Sequence, residues 1–424
     1  MRSHPFFSPS FLRALLFSRG CVFLRVLCMG LLVSATVRAG APEQLSVPGV
    51  AAGIPRLAAR ANGDAVAMWQ EEAPPVTRLV ARLRAQGVWS GPAILCEERG
   101  RSVLRQFAVL LDPTGRAHAC WTAQKGRFFQ LEYTSTDPRG RWSSPVSVCE
   151  PTTLSIESPV LALLPSGPGG EKSPQQTLFF VWQERRGSVY RIQTRIVPPA
   201  GPPHQETLTG QHGFRYAVYP DFFLLPGSDT TQAARMAVSW YDLSGAKAAL
   251  KMGVWDPEKR IWKRLSAPQL RDTVLPSLPI VRATAAQGPF LLGSDAPEAP
   301  GRVFFSSPAF SLVPLDDQPS AESQIRRVTQ PVGERLGLLW REESDSGVRL
   351  VTGVLRTDGQ IFRSPLPRTA EALSQGDAAL TATALQTLWV AQTPSQTPGV
   401  FFSETLDSQS DWRPIAPPQE VPTR

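Results

Sequence analysis

The chain is poor in the residue types that build metal and redox sites. Its 424 residues include five cysteines and four histidines, and three cysteines follow the N-terminal segment: Cys96, Cys120 and Cys149. There is no Cys-x-x-Cys pair, and an odd number of cysteines in an exported chain permits one disulfide at most. So few possible thiolate and imidazole ligands argue against a zinc cage. We therefore predict neither a metal site nor a cofactor.

Acidic residues are absent from the first 39 positions, which contain five arginines and an apolar run of about a dozen residues from Val26 to Val37. A membrane span needs roughly 20 apolar residues, whereas Val37-Arg38-Ala39 fits the small–x–small pattern of a cleaved export signal. We predict that residues 1–39 are an export signal, with an uncleaved N-terminal anchor as the alternative. The protein is then periplasmic or extracellular, or held at the inner membrane by this segment alone.

Clusters of basic residues are also missing. The whole chain carries a net charge of +8, but setting aside the five arginines before Gly40 leaves 39 basic and 36 acidic residues, a net charge of +3. These charges are spread evenly along the sequence. The composition therefore argues against nucleic acid as a partner.

Helical periodicity is almost absent. Short apolar runs rich in Val, Leu, Phe and Thr alternate with Gly, Pro, Asp and Ser, and the chain contains 41 prolines. Such runs, bounded by turn residues, are typical of β-strands. The sequence therefore predicts an all-β fold.

Tryptophan marks a repeat. A short apolar strand ends in Trp at six places, and the tryptophans are separated by 52, 61, 58, 100 and 49 residues: Trp69, Trp121, Trp182, Trp240, Trp340 and Trp389. The step of 100 is two periods, because the strand "PFLLG" at 289–293 lies midway and has Gly293 where Trp would stand. Repeats of this length, each forming four short strands, are the pattern of a β-propeller.

We predict a single β-propeller over residues 45–420, with seven blades of four antiparallel strands, or six if the fifth unit is an insertion. In each unit a strand that often opens on proline precedes the Trp strand, and a third and an outer strand follow. The predicted outer strands include 88–95, 141–148 and, in the last unit, 411–418. The third unit has the proline-rich segment 197–205 in that place. The segment 42–49 resembles an outer strand and is expected to complete the last blade.

Two of the three cysteines, Cys96 and Cys149, lie seven residues after the outer tryptophans Trp89 and Trp142. Equivalent positions on neighbouring blades diverge at the rim, so a direct disulfide between them is not expected. We predict buried or half-buried free thiols, and we predict that His118, inside a Trp strand, is a hydrogen-bonded core residue.

Acidic residues recur two positions after the inner tryptophans. The seven positions are Glu71, Ala123, Glu184, Asp242, Asp295, Glu342 and Ala391. The strand order places them in turns between second and third strands, on the face where propellers usually bind ligands. We take Glu71, Glu184, Asp242, Asp295 and Glu342 as the candidate ligand-binding residues. The alternative is that each acid only solvates a hairpin turn that was copied by duplication.

The segment "TSTDPRGRW" at 134–142 resembles the Asp-box of bacterial sialidases, S-x-D-x-G-x-x-W, with Ser135, Asp137, Gly140 and Trp142 in order and the glycine one place late. Worn versions occur at 85–89, 256–262, 356–362 and 407–412. The resemblance implies a structural hairpin in which the aspartate caps backbone N–H groups. In sialidases this hairpin lies on the side away from the catalytic face, so it indicates architecture and not activity.

A second stretch, "GIPRLAAR" at 53–60, resembles the Arg-Ile-Pro segment of sialidases, but Gly53 stands where the substrate-binding arginine would be. Arg56 follows the proline, on the other side of the motif. None of the five tyrosines fits a nucleophile motif, and no catalytic residue is assigned. We therefore expect a non-catalytic binding or protein-interaction module. Its expected partner is a carbohydrate, since the outer "W-S-x-P" strands resemble those of propeller lectins, or else an envelope protein. The alternative function is a sialidase-like glycoside hydrolase.

Overall fold

The computed structural model describes residues 42–99, 106–164, 176–209, 216–225, 234–245, 248–267, 280–284, 288–294, 302–307, 309–314, 322–344, 347–356, 361–365, 372–392, 397–406, 413–414 and 419–420. These residues belong to one compact unit, Ala41–Arg424. The predicted export segment, residues 1–39, lies outside the described residues.

The described strands form seven antiparallel sheets that follow one another along the chain, and each sheet has a core of four adjacent strands. The predicted all-β propeller with four-stranded antiparallel blades is confirmed. Blade 1 contains β2 (Ala51–Ala59), β3 (Ala65–Ala73), β4 (Val76–Ala85), β5 (Val88–Trp89) and β6 (Ala93–Arg99). Blade 2 contains β7 (Phe107–Leu111), β8 (Ala117–Lys125), β9 (Phe128–Ser135) and β10 (Val146–Ser147). Blade 3 contains β11 (Ser155–Leu164), β12 (Thr177–Arg186), β13 (Val189–Val197) and β14 (His204–Thr207).

The second half of the chain repeats this order. Blade 4 contains β15 (Ala217–Leu225), β16 (Arg235–Asp242), β17 (Ala249–Asp256) and β18 (Ile261–Leu265). Blade 5 contains β19 (Ile280–Thr284), β20 (Gly288–Ser294), β21 (Arg302–Ser307), β22 (Ala309–Pro314) and β31 (Gln419–Glu420). Blade 6 contains β23 (Glu322–Val328), β24 (Arg335–Ser344), β25 (Gly347–Arg356), β26 (Ile361–Pro365) and β30 (Arg413–Pro414). Blade 7 contains β27 (Ala372–Leu380), β28 (Ala384–Gln392), β29 (Pro398–Leu406) and β1 (Glu43–Gln44).

The first strand of each blade lies next to the axis. From blade to blade β2 contacts β7, β7 contacts β11, β11 contacts β15, and β15 contacts β19. In the remaining blades β20 contacts β23, β23 contacts β27, and β27 contacts β2. These contacts close a ring of sheets whose first strands line a central channel.

The inner tryptophans hold neighbouring blades together. Trp69 packs with Val390, Val400 and Phe402 of blade 7, and Trp121 packs with Met68 and Leu79 of blade 1. The remaining tryptophans pack in the same way on the preceding blade: Trp182, Trp240, Trp340 and Trp389. Trp69, Trp121, Trp182 and Trp340 have no exposed surface. This shared pattern explains why tryptophan recurs at the repeat period, since one sheet alone cannot bury such a side chain.

The N-terminal and C-terminal segments of the chain pair with different blades. β1 pairs with β29, and the N–H of Leu45 donates to the carbonyl of Val400 at 2.8 Å, so the N-terminal segment completes blade 7 as expected. The expectation for 411–418 was wrong. Arg413–Pro414 pairs with β26 of blade 6, and Gln419–Glu420 pairs with β22 of blade 5. Because β1 already occupies the outer edge of blade 7, the C-terminal segment pairs with the outer edges of the two preceding blades.

Two further details differ from the sequence reading. Blade 3 has a regular outer strand at His204–Thr207, which begins in the last two residues of the proline-rich segment that was predicted to replace it. The outer strand of blade 1 is split into β5 and β6, because Pro92 has no N–H for the ladder. The fifth unit, whose Trp is replaced by Gly293, forms a sheet of its own.

The Asp137 hairpin has the structural role predicted for it. Asp137 Oδ1 accepts hydrogen bonds from the N–H groups of Arg139 and Arg141 at 2.8 and 2.9 Å. Gly140 takes the left-handed conformation with φ of 76°. Trp142 then packs, half-buried, against the cluster shared by blades 1 and 2. This turn joins the third to the fourth strand of blade 2, at the opposite end of the strands from the turns that follow the Trp strands.

The described cysteines are free thiols, with Cys120 and Cys149 buried and Cys96 half-buried. Burial raises the pKa of Cys96 and of Cys120 to about 12, so both remain protonated at neutral pH. His118 is 5% exposed, and its Nδ1 lies 2.7 Å from the hydroxyl of Tyr133. Its predicted place in the core is confirmed.

Candidate functional site

The predicted acidic residues lie inside strands and not in turns. Glu71, Glu184 and Glu342 belong to β3, β12 and β24, and Asp242 is the last residue of β16. The Trp strands extend further past the tryptophan than the sequence suggested, which corrects the expected placement. Asp295 lies outside the described residues.

Three of these acids accept a hydrogen bond from the tryptophan that precedes them. Trp69 Nε1 donates to Glu71 Oε1 at 2.9 Å, Trp182 Nε1 to Glu184 at 3.3 Å, and Trp340 Nε1 to Glu342 at 2.7 Å. Residues two apart on a strand share a face, which brings each indole and carboxylate together. Glu71 is 4% exposed and Glu342 is 1% exposed. We call these three pairs the Trp–Glu pairs.

Blades 2 and 4, which lack a Glu at this position, show what the acid contributes to a Trp–Glu pair. Blade 2 has Ala123 at this position, and the buried Nε1 of Trp121 has no hydrogen-bond acceptor within the described residues. In blade 4, Asp242 accepts from the N–H of Ser244 at 3.0 Å, and the buried Trp240 Nε1 has no acceptor in the part of the chain that the structure describes. The tryptophan packs in every case, so the acid supplies a polar partner for it. A ligand-binding role for the five acids stays a prediction.

Glu184 also lines a surface pocket of about 350 Å³ between blades 2 and 3. The pocket is polar, and its lining residues are Cys149, Glu150, Pro151, Thr152, Glu184, Gln193, Gln205, Glu206 and Thr207. Glu184 Oε2 accepts from Gln193 Nε2 at 3.0 Å, so both of its oxygens have partners. The pocket therefore holds only one of the predicted acids, and it does not bring them together.

A second ring of equivalent positions lies on the first strands. In each blade, the residue directly before the inner Trp pairs with one residue of the first strand, and that first-strand residue is the ring position. In blade 5, the residue directly before Gly293 takes the place of the residue before Trp. The seven residues are Arg56, Ala108, Val160, Asp221, Ile280, Arg327 and Asp377. Blades 2, 3 and 5 have apolar residues there, and blades 1, 4, 6 and 7 have charged ones. The charged positions of blades 6, 7 and 1 are therefore consecutive around the ring, and that of blade 4 is separated from them by Ile280 of blade 5.

Five charged side chains, the four of this ring and Arg282 of blade 5, form a group that we call the channel cluster: Arg56, Asp221, Arg282, Arg327 and Asp377. Arg327 Nε lies 2.8 Å from Asp377 Oδ1, and Arg282 Nη1 donates to Asp221 Oδ2 at 2.8 Å. With three arginines and two aspartates, the cluster carries one excess positive charge.

Arg282, two residues beyond Ile280 on β19, is a framework residue. Its side chain is 2% exposed and donates to the carbonyls of Val281, Val328 and Thr329 at 2.7 to 3.0 Å as well as to Asp221. A buried guanidinium with this many acceptors is stable as a charge. Burial lowers its pKa, and the nearby Asp221 opposes that shift. Arg282 thus joins blades 4, 5 and 6 and has no surface left for a ligand.

Arg56 and Arg327 differ from Arg282. Arg327 exposes 43% of its side chain, and its nearest carboxylate, Asp377, raises its pKa. Arg56 donates to the carbonyl of Pro55 at 3.0 Å and stacks over Phe107 at 5.8 Å, but within the described residues it bonds no carboxylate. Burial lowers the pKa of Arg56, Asp377 opposes the shift, and Arg327 adds to it. The two guanidinium groups are therefore close enough to be electrostatically unfavourable to each other, and within the described residues Arg56 donates only to a backbone carbonyl.

Asp377 is fully engaged. It is 2% exposed, Oδ1 accepts from the N–H of Ala378, and Oδ2 accepts from the N–H of Leu57 on blade 1, both at 2.9 Å. With Arg327 at 2.8 Å, both oxygens are occupied. Asp221 is 30% exposed and accepts from its neighbour Phe222 and from Arg282. Of the two carboxylates, only Asp221 remains partly accessible.

A recurrent bulge positions the channel cluster. Ile54, Ser158 and Tyr219, each directly before a proline, have φ of 54°, 50° and 54°, and the register shifts there. Each donates its N–H to a glutamine side chain: Ile54 to Gln375 at 2.7 Å, Ser158 to Gln106, and Tyr219 to Gln183 at 3.3 Å. A positive φ is rare for such residues, and its recurrence marks the bulge as part of the repeat.

Arg56 was not predicted as a binding residue from the sequence, because it follows the proline of "GIPR" instead of preceding it. Arg282, Arg327, Asp221 and Asp377 were not singled out. Aligning the strand before each Trp strand on its pairing partner gives the ring of seven, and four of its members are charged. That alignment depends on the bulge, which adds a residue to some first strands and not to others.

The comparisons with known proteins concern the fold. No family model and no curated protein matches the chain. A Dyadobacter fermentans protein of unknown function is similar at 11% identity and a TM-score of 0.43, over 87% of this chain and 98% of that one. The Trypanosoma rangeli sialidase is similar at 11% identity and a TM-score of 0.41, over 87% of this chain and 58% of that one. A Bombyx mori GH32 beta-fructofuranosidase is similar at 12% identity and a TM-score of 0.34, over 86% and 91% of the two chains.

The strand pairing and the closed ring of first strands define the class as a β-propeller. Within the described ranges no helix has the length and apolarity needed to cross a bilayer. The same residues contain no group of three or more His, Cys, Asp or Glu side chains placed to hold a metal ion.

Proposed function

We propose that this chain is a non-catalytic binding module that takes an anionic ligand in its central channel. The observation that carries the proposal is Arg56, a half-buried side chain to which no carboxylate of the described residues is bonded, beside the 43%-exposed Arg327. A charge taken out of water without a partner is unfavourable. A bound anion removes that penalty and completes the hydrogen bonds of both arginines.

The geometry also favours a carboxylate over a large polyanion. Planar guanidinium groups bind a carboxylate through two parallel hydrogen bonds. The excess charge of the channel cluster is one, which matches a single carboxylate. A sugar acid combines that group with hydroxyls, consistent with the carbohydrate ligand expected from the outer strands.

The contacts of the aspartates favour binding over hydrolysis. Glycoside hydrolysis needs two carboxyl groups that are both free to act. Asp377 has both oxygens occupied by Leu57, Ala378 and Arg327, so it has no free position for a water or a glycosidic oxygen. A sialidase-like hydrolase therefore remains the second candidate only because Asp221 is partly accessible.

Calorimetric titration of the exported chain with D-galacturonate and with neutral D-galactose tests the proposal. We expect binding of the acid alone, weakening as salt rises because the attraction is electrostatic. Arg56→Gln and Arg327→Gln should each weaken it by about tenfold or more, since a charge-assisted bond is lost. Arg78→Gln is the matched control, because Arg78 pairs with Glu97 outside the channel.

Equal binding of both sugars, or equal loss in the Arg78→Gln variant, would contradict a channel site for anions. Turnover of fluorogenic sialosides or other glycosides that Asp221→Asn abolishes would instead establish the hydrolase.

A further inference from the structure

A glutamine of blade 7 contacts the first strand of blade 1 next to Arg56. Gln375 is an exposed residue of β27, two positions before Asp377. Its Oε1 accepts a hydrogen bond from the N–H of Ile54 at 2.7 Å, and Asp377 Oδ2 accepts from the N–H of Leu57 at 2.9 Å. The two side chains therefore hold the first strand of blade 1 at points on either side of Arg56.

The bond to Ile54 fixes the orientation of the Gln375 amide. A backbone N–H only donates, so the carbonyl oxygen of the amide must face Ile54 and the NH₂ group must face away from it. A Cβ atom at position 53 would lie 3.2 Å from Gln375 Oε1, so Gly53 leaves the oxygen room for this approach. Within the described residues Gln375 Nε2 has no hydrogen-bond acceptor. The amide is therefore satisfied at its oxygen and has its N–H donors available.

Gln106 of blade 2 makes the same contact with blade 3. It accepts from the N–H of Ser158, which has the positive φ that Ile54 has in blade 1. The two glutamines are equivalent, because each directly precedes the residue that pairs with the inner Trp of its blade. The bulge therefore needs only the oxygen of the glutamine, and this bond by itself indicates no ligand.

The surroundings of the two glutamines differ. Gln106 has apolar ring positions beside it, Ala108 of its own blade and Val160 of the next. Gln375 instead is bonded to the backbone two residues before Arg56, whose guanidinium donates only to a backbone carbonyl within the described residues. The amide and the guanidinium are thus neighbouring groups that both have donors to spare. An acceptor molecule completes the hydrogen bonds of both, and a negatively charged one also offsets the charge of Arg56.

We infer that Gln375 is a further ligand-binding residue of the channel, whose NH₂ group donates to the same anion as Arg56. This inference rests on the proposed function of the channel and adds a specificity-determining residue to it. A carboxylate has two oxygens with about four acceptor positions, so an amide can bind on one side while a guanidinium binds on the other. The neutral amide adds a directed bond without adding charge.

Replacing Gln375 by Glu separates this role from that of the bulge. A glutamate keeps an oxygen that accepts from Ile54, but it loses the NH₂ donors and adds a negative charge beside Arg56. We expect the affinity for D-galacturonate, measured by calorimetric titration, to fall by about a hundredfold, while the urea midpoint of unfolding stays unchanged or rises. Gln106→Glu is the matched control, because it adds the same charge at the equivalent bulge, and it should lower the affinity by about threefold at most.

A second measurement detects the contact in the wild-type protein. In protein labelled with ¹⁵N at glutamine, the side-chain NH₂ signals that disappear in Gln375→Met and in Gln106→Met identify the two amides. D-galacturonate should shift the Gln375 NH₂ protons, because they gain an acceptor, and should leave those of Gln106 unchanged. A glutamine that only supports the bulge would show no such difference.

The outcomes separate this inference from the proposed function. Equal affinity losses in Gln375→Glu and Gln106→Glu, or an unchanged Gln375 NH₂ signal at saturating D-galacturonate, overturn the role of Gln375 and leave the channel site standing. Absence of binding by the wild-type chain overturns the channel site and this inference with it.

Discussion

Two sets of charged residues occupy equivalent positions of the same repeat, and they behave differently. The Trp–Glu pairs recur in blades 1, 3 and 6 with the same bond from indole to carboxylate. The channel cluster draws on positions whose residue changes between blades, from Arg56 to Ala108 to Asp377. The recurrent set stabilises each blade against its neighbour. The variable set forms one asymmetric surface, which a ligand can distinguish.

Within the channel cluster itself, Arg282 and Arg56 form a similar contrast. Arg282 has protein acceptors around its guanidinium, whereas Arg56 has one carbonyl and a neighbouring arginine. The first is held by the framework, and the second is the residue that we propose binds an external anion.

Replacing Arg282 by Met should lower the free energy of unfolding by about 3–5 kcal/mol, because Asp221 and the carbonyls of Val328 and Thr329 lose their buried partner. Arg56→Met should leave stability unchanged or raise it, since it removes a charge without a carboxylate partner. Urea unfolding followed by tryptophan fluorescence measures both. An equal loss in the two variants would mean that Arg56 is also a framework residue.

The Trp–Glu pairs should appear as a difference between two matched substitutions. Trp69→Phe leaves the buried Glu71 without its indole donor, whereas Trp121→Phe has only Ala123 at that position. Both tryptophans are fully buried, so the loss of packing is similar. We expect Trp69→Phe to be more destabilising than Trp121→Phe by about 1–3 kcal/mol.

Glu71→Ala should reproduce part of that difference, and Glu72→Ala, its exposed neighbour, should not. Equal stability of the Trp69 and Trp121 variants in urea would remove the basis for a structural role of Glu71. Its ligand-binding role would then be the stronger explanation.

The smallest expected effect is on pH dependence. Burial lowers the pKa of His118, and its bond to Asp112 only partly opposes this. The unfolded chain therefore takes up a proton near pH 6.5 that the folded protein does not. Stability should fall as pH decreases from 6.5 through the folded pKa, and His118→Gln should flatten that fall, measured by urea unfolding at pH 7.5, 6.0 and 5.0.

His204→Gln is the control for replacing an imidazole with an amide at a site outside the core. Ligand affinity in the channel should change little over the upper part of this range, because guanidinium groups stay charged. A fall in affinity that tracks His118 would contradict the separation of framework and channel.

Much of the fold was predictable, and much of the candidate site was not. The spacing of Trp69, Trp121, Trp182 and Trp240 indicated blades because each tryptophan has the same neighbour-facing role. The acids at Trp plus two were equally regular, but whether a strand ends at the tryptophan or continues past it is decided by pairing with the next strand. For that reason Glu71 and Glu342 were predicted to lie in turns. In the structure each lies in a strand and pairs with a residue of the next strand, Glu71 with Arg78 and Glu342 with Arg349.

The ends of the chain show the same limit. The segment after the predicted export signal was expected to complete blade 7, and β1 does so. The tryptophan-containing segment at 411–418 resembles an outer strand equally well, but two segments cannot occupy one edge. Competition for that edge placed Arg413–Pro414 and Gln419–Glu420 on blades 6 and 5.

The sequence by itself determined an all-β propeller, its repeat period and the buried tryptophans, because those features depend on residues close together in the chain and copied in every unit. Only the tertiary structure decided that Arg56, Asp221, Arg282, Arg327 and Asp377 meet. These residues are up to 321 positions apart, and closing the ring of blades brings them together. A repeat fixes what each blade shares, while the site consists of what the blades do not share.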